Sequence, residues 1–126
     1  MLFRSQYLVG RHDDAEASHT RALQLYRDLG DRSGEAEALN NIADMARASA
    51  TPAEARPYYD RALALAVTIA AQHEQARALE GLGLCQISDG QPQQGRDLLR
   101  QALTVYQRIG SPQARNLENM LTSLVG

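Results

Sequence analysis

The sequence predicts an all-α fold in which helical hairpins stack into a solenoid. One short phrase occurs three times, each copy 40 positions after the last: RALQLY at 21–26, RALALA at 61–66 and QALTVY at 101–106. Apolar residues recur mostly at steps of three and four, which is typical of one face of an α-helix. No stretch alternates apolar and polar residues for long enough to predict a strand.

Apolar spacing and helix-end signals divide the chain into seven predicted helices. They span roughly residues 2–9, 13–29, 34–49, 53–70, 74–88, 92–109 and 112–124. Glycines at positions 10, 30, 90 and 110 mark helix ends. Ala50 and Ala70 stand where the other units have glycine. The turns of the middle unit therefore either differ or let the helices run on.

Helix starts carry capping signals. Thr51 and Glu54 can form a capping box around Pro52, which suits the first helical position. Asp13 and Glu16 offer a similar box, and Ser111 offers a capping hydroxyl. These signals predict helix starts near residues 13, 53 and 112.

The repeat extends beyond the opening phrase. EAEALNNIA at 35–43 aligns with QARALEGLG at 75–83, with small residues matching small and large matching large. Two antiparallel helices with short turns account for this period. We expect a single domain over 1–126, with units near 1–33, 34–73 and 74–110 and a capping helix at 111–126. Counting back by the repeat period, we expect the first helix of the first unit to be truncated.

The pattern resembles the tetratricopeptide repeat, in a long variant of about 40 residues. Small residues occupy the expected positions of the first helices (Ala43, Gly83) and of the second helices (Ala15, Ala55, Gly95). YRDLGDRSGEAEALNNIA at 26–43 is typical of the arrays in actinobacterial MalT-like and antibiotic-type transcriptional regulators. The resemblance implies a right-handed α–α superhelix whose first helices line a concave face.

By this resemblance, the concave face would bind a protein or peptide partner. The predicted partner-binding residues are Arg4, Tyr7, Glu37, Asn40, Asp44, Arg47, Arg77, Glu80 and Leu84. An equally weighted alternative is a solvated polar face with internal ion pairs such as Glu37–Arg77. A clamp for a peptide's terminal carboxylate is not predicted, because the chain contains no Lys.

The two ends of the chain give further predictions. Leu117, Met120, Leu121 and Leu124 would cover the preceding hairpin, while residues 115, 116, 118 and 119 would face water. At the other end, Leu2, Phe3 and Leu8 are candidates for self-association in a possible homodimer.

Catalytic or metal chemistry is not predicted. His12, His19 and His73 are scattered, and Cys85 has no His placed in sequence to activate it. A surface or interface role for the histidines and a small core role for Cys85 are the simpler interpretations. No cofactor is expected, and an enzyme is the least favoured class.

Composition narrows the partner classes. The net charge of −2 disfavours a nucleic-acid-binding face, which needs an excess of basic residues. No apolar run is long enough to cross a bilayer, and no signal peptide is expected, so we predict a cytoplasmic protein. The leading hypothesis is a non-catalytic interaction module of a regulatory or signalling protein. The alternatives are a self-associating structural element and a sensor of a free peptide signal.

Overall fold

The computed structural model describes residues 2–49 and 51–125, with side chains described for residues 15–49 and 51–124. Over these residues the chain forms six α-helices and no strand. They are α1 (Leu2–Leu29), α2 (Arg32–Ala48), α3 (Pro52–Thr68), α4 (Gln72–Ser88), α5 (Pro92–Arg108) and α6 (Gln113–Val125). The all-α solenoid predicted from the sequence is confirmed.

Successive helices pack against each other along the chain, and α2 also contacts α4. The hairpins α2–α3 and α4–α5 are therefore stacked layers, with α2 and α4 as neighbouring first helices. One buried cluster joins α1, α2 and α3 and includes Ala78 of α4, and another joins α4, α5 and α6. This stacking sets the first helices side by side and creates the surface described in the next subsection.

The predicted break near Gly10 is wrong, because α1 runs without interruption from Leu2 to Leu29. At the equivalent junctions Pro52 and Pro92 occupy the first helical positions, but His12 stands at that position in the first unit. Proline lacks an amide hydrogen and disfavours helical geometry in the residue before it. Without that proline, the helix continues through Gly10 and the predicted capping box at Asp13.

The junction after α3 keeps the turn of the other units although glycine is absent. Ala70 adopts φ +57°, close to the φ of +71° at Gly30 and +67° at Gly110. The amide of Ala71 then donates to the carbonyl of Ala66 at 2.8 Å, as the amide of Ser111 donates to Tyr106 at 2.9 Å. These bonds satisfy carbonyls of the last helical turn. The helix therefore does not run on past Ala70.

The capping predictions were right at one helix and wrong at another. The Ser111 hydroxyl accepts a hydrogen bond from the Gln113 amide at 3.1 Å. Thr51 makes no side-chain cap; its hydroxyl instead donates to the Ala46 carbonyl at 2.6 Å. The expected box with Glu54 is therefore not formed.

The C-terminal helix covers the end of the stack. Leu117 and Leu121 are buried against α5, and Met120 packs beside them. Leu124 is 37% exposed, so the prediction that it covers the hairpin was wrong. It lies on the same side as Leu121, but in the last turn of α6, which the preceding hairpin does not cover. The four polar residues 115, 116, 118 and 119 face solvent as predicted.

Candidate partner-binding site

The candidate site is an open pocket of about 250 Å³ that lies along the first helices α2 and α4 and reaches the start of α6. We call it the first-helix pocket. Side chains from α2, α4, α5 and the start of α6 line it. They are Asp44, Arg47, His73, Arg77, Glu80, Leu84, Tyr106 and Gln113, together with the backbone of Gly81.

Asp44 is the centre of a hydrogen-bond network on one wall of this pocket. The Tyr59 hydroxyl donates to Asp44 Oδ1 at 2.5 Å, and Arg77 Nη2 donates to Asp44 Oδ2 at 2.8 Å. Arg47 Nε in turn donates to the Tyr59 hydroxyl oxygen at 3.1 Å. One carboxylate thus joins α2, α3 and α4 and fixes the position of both arginines.

Asn40 lies behind that wall rather than on it. The residue is fully buried, and its Nδ2 donates to the Glu74 carbonyl at 3.1 Å and to Glu74 Oε2 at 2.8 Å. Its Oδ1 has no partner among the described residues. Because Asn40 is enclosed between α2 and α4, its part is to hold these helices together. The sequence predicted Asn40 as a partner-binding residue, but Asn40 does not line the accessible pocket.

Arg77 pairs differently from the sequence-based expectation. It forms ion pairs with Asp44 and with Glu74, the latter at 3.2 Å, rather than with Glu37. Glu37 is exposed and does not line the pocket. Glu74 is half-buried and lies one turn before Arg77 on the same helix, so it pairs with Arg77 in place of the Glu37 expected from the sequence.

The far wall is built on Tyr106 of α5. Its hydroxyl donates to Glu80 Oε1 at 2.9 Å, and the His73 ring lies 6.2 Å away from the Tyr106 ring, tilted by 59°. Leu84, one turn after Glu80, adds an apolar contact surface. The pocket therefore offers charged, aromatic and apolar groups within one small area.

The network keeps both arginines charged and both tyrosines neutral. Burial alone would lower the pKa of Arg77, but its hydrogen bond to Asp44 and the charges of Glu74 and Asp44 raise it overall. For Tyr59, burial and the hydrogen bond to Asp44 raise the pKa above its ordinary value. Burial and the charge of Glu80 do the same for Tyr106. These two arginines and two tyrosines therefore keep the same donor and acceptor groups around neutral pH.

A glycine makes room for the central tyrosine. A Cβ atom on Gly81 would lie 2.2 Å from Cζ of Tyr59. The ring of Tyr59 therefore rests on the backbone of α4, and its hydroxyl can reach Asp44. Sequence reasoning did not assign Tyr59 to the site.

Five predicted site residues are brought together, whereas Glu37 and Asn40 do not line the pocket. Asp44, Arg47, Arg77, Glu80 and Leu84 all line the first-helix pocket. The side chains of Arg4, Tyr7, Leu2, Phe3 and Leu8 lie outside the described part of the structure, and so does that of His12.

Sequence reasoning missed His73, Tyr106 and Gln113, because it considered only the first helices away from the turns. One signal could have found Tyr106. Ala66 aligns with Tyr106, and Glu74 aligns with Ala114. The middle unit therefore has the small residue at the first of these positions, and the third unit has it at the second. This exchange of sizes indicates that the two positions face each other.

The described residues show no grouping of His, Cys, Asp and Glu suited to a metal ion. Cys85 is buried, with its Sγ 3.8 Å from the carbonyl oxygen of Pro52, and burial raises the pKa of its thiol. This placement agrees with the small core role predicted for it. Within the described part of the chain, none of the helices has the length and apolar character needed to cross a membrane.

Comparison with known families agrees with the architecture. A sequence model described as the tetratricopeptide repeat matches residues 5–66 and, in an overlapping second match, residues 35–108. The chain belongs to the tetratricopeptide-repeat family. Repeats of this family generally act as non-catalytic scaffolds for interactions between proteins. A search of curated proteins found no match to the chain.

Proposed function

We propose that this tetratricopeptide-repeat protein is a non-catalytic interaction module that binds a segment of a partner protein in the first-helix pocket. The observation that carries the proposal is the convergence of Arg47, Arg77, Glu80 and Leu84 on one open pocket. We place the module in a cytoplasmic regulatory or signalling protein. The phrase at 26–43 supports this context through its likeness to regulator arrays.

The unused hydrogen-bonding groups indicate what the partner segment must offer. Arg47 uses Nε toward Tyr59, and its Nη groups have no partner among the described residues. Glu80 uses Oε1 toward Tyr106, while its Oε2 has no hydrogen bond within the described part of the chain. A suitable segment therefore carries an acceptor for Arg47, a donor for Glu80 and an apolar side chain for Leu84.

Pre-organisation favours binding at this place. Tyr59, Asp44 and Arg77 already hold each other through hydrogen bonds, so little side-chain entropy is lost when a partner docks. Arginine and tyrosine are also the residue types that contribute most to binding at protein interfaces. Their presence in an open pocket with both polar and apolar lining fits a transient interaction with a polar segment.

Selection from a displayed random-peptide library, followed by calorimetric titration of the selected peptide, tests the proposal. We expect Arg47→Ala and Leu84→Ala each to weaken the Kd about tenfold, equivalent to about 1.4 kcal/mol. The matched control is Arg61→Ala, because Arg61 is an exposed arginine of α3 that does not line this pocket.

Circular dichroism should show the same helix content in all three variants. Equal weakening by the Arg61 control, or no weakening by either pocket variant, would contradict the proposed site. An isolated short peptide that binds as tightly as the same segment within a folded protein would instead favour the peptide-sensor hypothesis.

A further inference from the structure

Helix α1 has an apolar face that the rest of the described chain leaves uncovered. Leu25 is 60% exposed, whereas Leu65 and Val105, at the aligned positions of α3 and α5, are 8% and 5% exposed. Leu29 is 77% exposed and lies one turn further along the same face. At the position of Leu25, the large apolar side chains of the other two units are core residues.

The cause is a missing antiparallel neighbour. In the second and third units, α2 packs against α3 and α4 packs against α5. In the first unit α1 is one straight helix, so no first helix folds back onto it within the described residues. The aligned small residues show the same difference, because Ala62 and Ala102 are fully buried and Ala22 is only half-buried.

The uncovered residues form a regular stripe. Ser18, Ala22, Leu25 and Leu29 follow each other at steps of four, three and four, which is the spacing of a helix-pairing seam. We call these four residues the α1 stripe. Leu23, which packs in the core with α2, points about 130° away from the middle of the stripe around the helix axis.

We propose that a second copy of this chain covers the α1 stripe, through antiparallel pairing of the two α1 helices. Aligning Ala22 with Leu25 of the other copy also sets Ser18 opposite Leu29 of that copy. Each small residue then meets a large one, and the two-fold axis repeats both contacts. Pairing of this isologous kind is the commonest way in which identical chains associate.

The charges beside the stripe complement each other in the same register. Arg21 and Asp28 lie on the side of the stripe away from α2, and both are exposed. Antiparallel alignment brings Arg21 of each copy next to Asp28 of the other. Within the described chain Arg21 has no ion pair, while Asp28 only accepts a hydrogen bond from Gln24 at 2.9 Å. Two intermolecular ion pairs can therefore form without breaking an existing one.

The arrangement repeats what the fold already does within one chain. The antiparallel helix α2 packs against α3, and α4 packs against α5. The central residues of the equivalent stripes, Ala62 and Leu65 on α3 and Ala102 and Val105 on α5, are buried. In the proposed dimer, α1 of the other copy takes the place of that covering helix. This interface differs from the self-association predicted through Leu2, Phe3 and Leu8, because it uses the C-terminal half of α1.

Sedimentation equilibrium on the full chain tests the pairing, over concentrations from about 1 µM to about 1 mM. We expect a concentration-dependent rise from the chain mass of 13.8 kDa to twice that value. Leu25→Glu should keep the protein monomeric without unfolding it, because this side chain is exposed. The matched control, Val67→Glu, changes an apolar residue of α3 that is 57% exposed and should leave the dimer intact.

Charge reversal tests the register. Asp28→Arg would place two arginines together at each end of the interface, and we expect the dimer Kd to rise on the order of tenfold. Adding Arg21→Asp to that variant should restore the original Kd. A monomer at every concentration would overturn the proposal, as expected if a helix from a longer chain covers the stripe. A dimer unaffected by Leu25→Glu would overturn it too.

Discussion

The two complete hairpins follow one pattern but pack their helix crossings with different residues. In α2–α3, Ala43 and Ala55 meet in a cluster with Tyr59. In α4–α5, Gly83 and Gly95 approach so closely that a Cβ on Gly95 would lie 2.6 Å from the Gly83 carbonyl oxygen. The second hairpin brings backbone against backbone, while the first leaves room for methyl groups.

The difference extends to the large residue next to each crossing. In α3 this residue is Tyr59, whose hydroxyl is tied to Asp44 and Arg47. In α5 the aligned residue is Leu99, which is fully buried among apolar side chains. At its crossing the first hairpin therefore shares its core with the polar pocket, whereas the crossing of the second hairpin is packed by apolar side chains.

The largest effect is expected at the glycine crossing. Gly95→Ala should lower the free energy of unfolding by about 2 kcal/mol, because the new methyl group meets the Gly83 carbonyl and the side chain of Ile87. The gain in helix propensity from Gly to Ala, about 1 kcal/mol, is too small to offset this overpacking.

Urea denaturation measures the difference, with Ala55→Gly as the matched variant in the other hairpin. Ala55→Gly should also destabilise the protein, because it removes a buried methyl group and loosens the helix. An increase in stability for Gly95→Ala would show that the α4–α5 crossing also has room for a methyl group, and that the two crossings are equivalent in this respect.

Loss of the Tyr59 hydroxyl should have the next largest effect. Tyr59→Phe removes the donor to Asp44 and the acceptor for Arg47, and we expect a loss of about 1–1.5 kcal/mol. Because the partners Asp44 and Arg47 are only half-buried, water can replace part of what they lose. Thermal unfolding at pH 7 measures the effect, and a change within error would show that the network does not stabilise the fold.

The same tyrosine should produce a pH dependence in alkaline solution. Its pKa is raised in the folded state by burial and by the Asp44 hydrogen bond. The resulting stabilisation is present below about pH 10, the ordinary pKa of tyrosine, and is lost as pH rises through the folded value. We expect stability to fall above about pH 10, and less steeply in Tyr59→Phe. Identical slopes in the two proteins would exclude Tyr59 as a source of the effect.

Smaller effects are expected at the turns that end α3 and α5, where one substitution should stabilise the protein and the other should destabilise it. Ala70 adopts φ +57°, which costs a residue with a Cβ about 1–2 kcal/mol. Ala70→Gly should therefore stabilise the protein by about 0.5–1 kcal/mol, after the entropy that glycine gains in the unfolded chain is subtracted.

The reciprocal change, Gly110→Ala, should destabilise the protein by a similar amount, because Gly110 has φ +67° and open space around it. Denaturation midpoints of the two variants provide the comparison. Shifts of the same sign would contradict the proposed conformational cause.

Periodicity in the sequence predicted the stack well, because each hairpin repeats the same small and large residues. The prediction failed at α1, where Gly10 indicated a helix end. His12 stands at the position where the other units have a proline that begins the next helix, so α1 continues. The pocket was predicted in part. Helical spacing places Asp44 and Arg47 on one stripe, but burial of Asn40 depends on Glu74 from another helix. Contacts between helices cannot be read from spacing within one helix.

The most direct test of the proposed function is an amide chemical-shift titration of the 15N-labelled chain with a library-selected peptide. Binding in the first-helix pocket predicts the largest shifts at Asp44, Arg77, Gly81 and Leu84, with small shifts at Arg61 and Ala64 on α3. Shifts concentrated on Arg61 and Ala64, with the first-helix amides unmoved, would contradict the assignment of the pocket as the partner-binding surface.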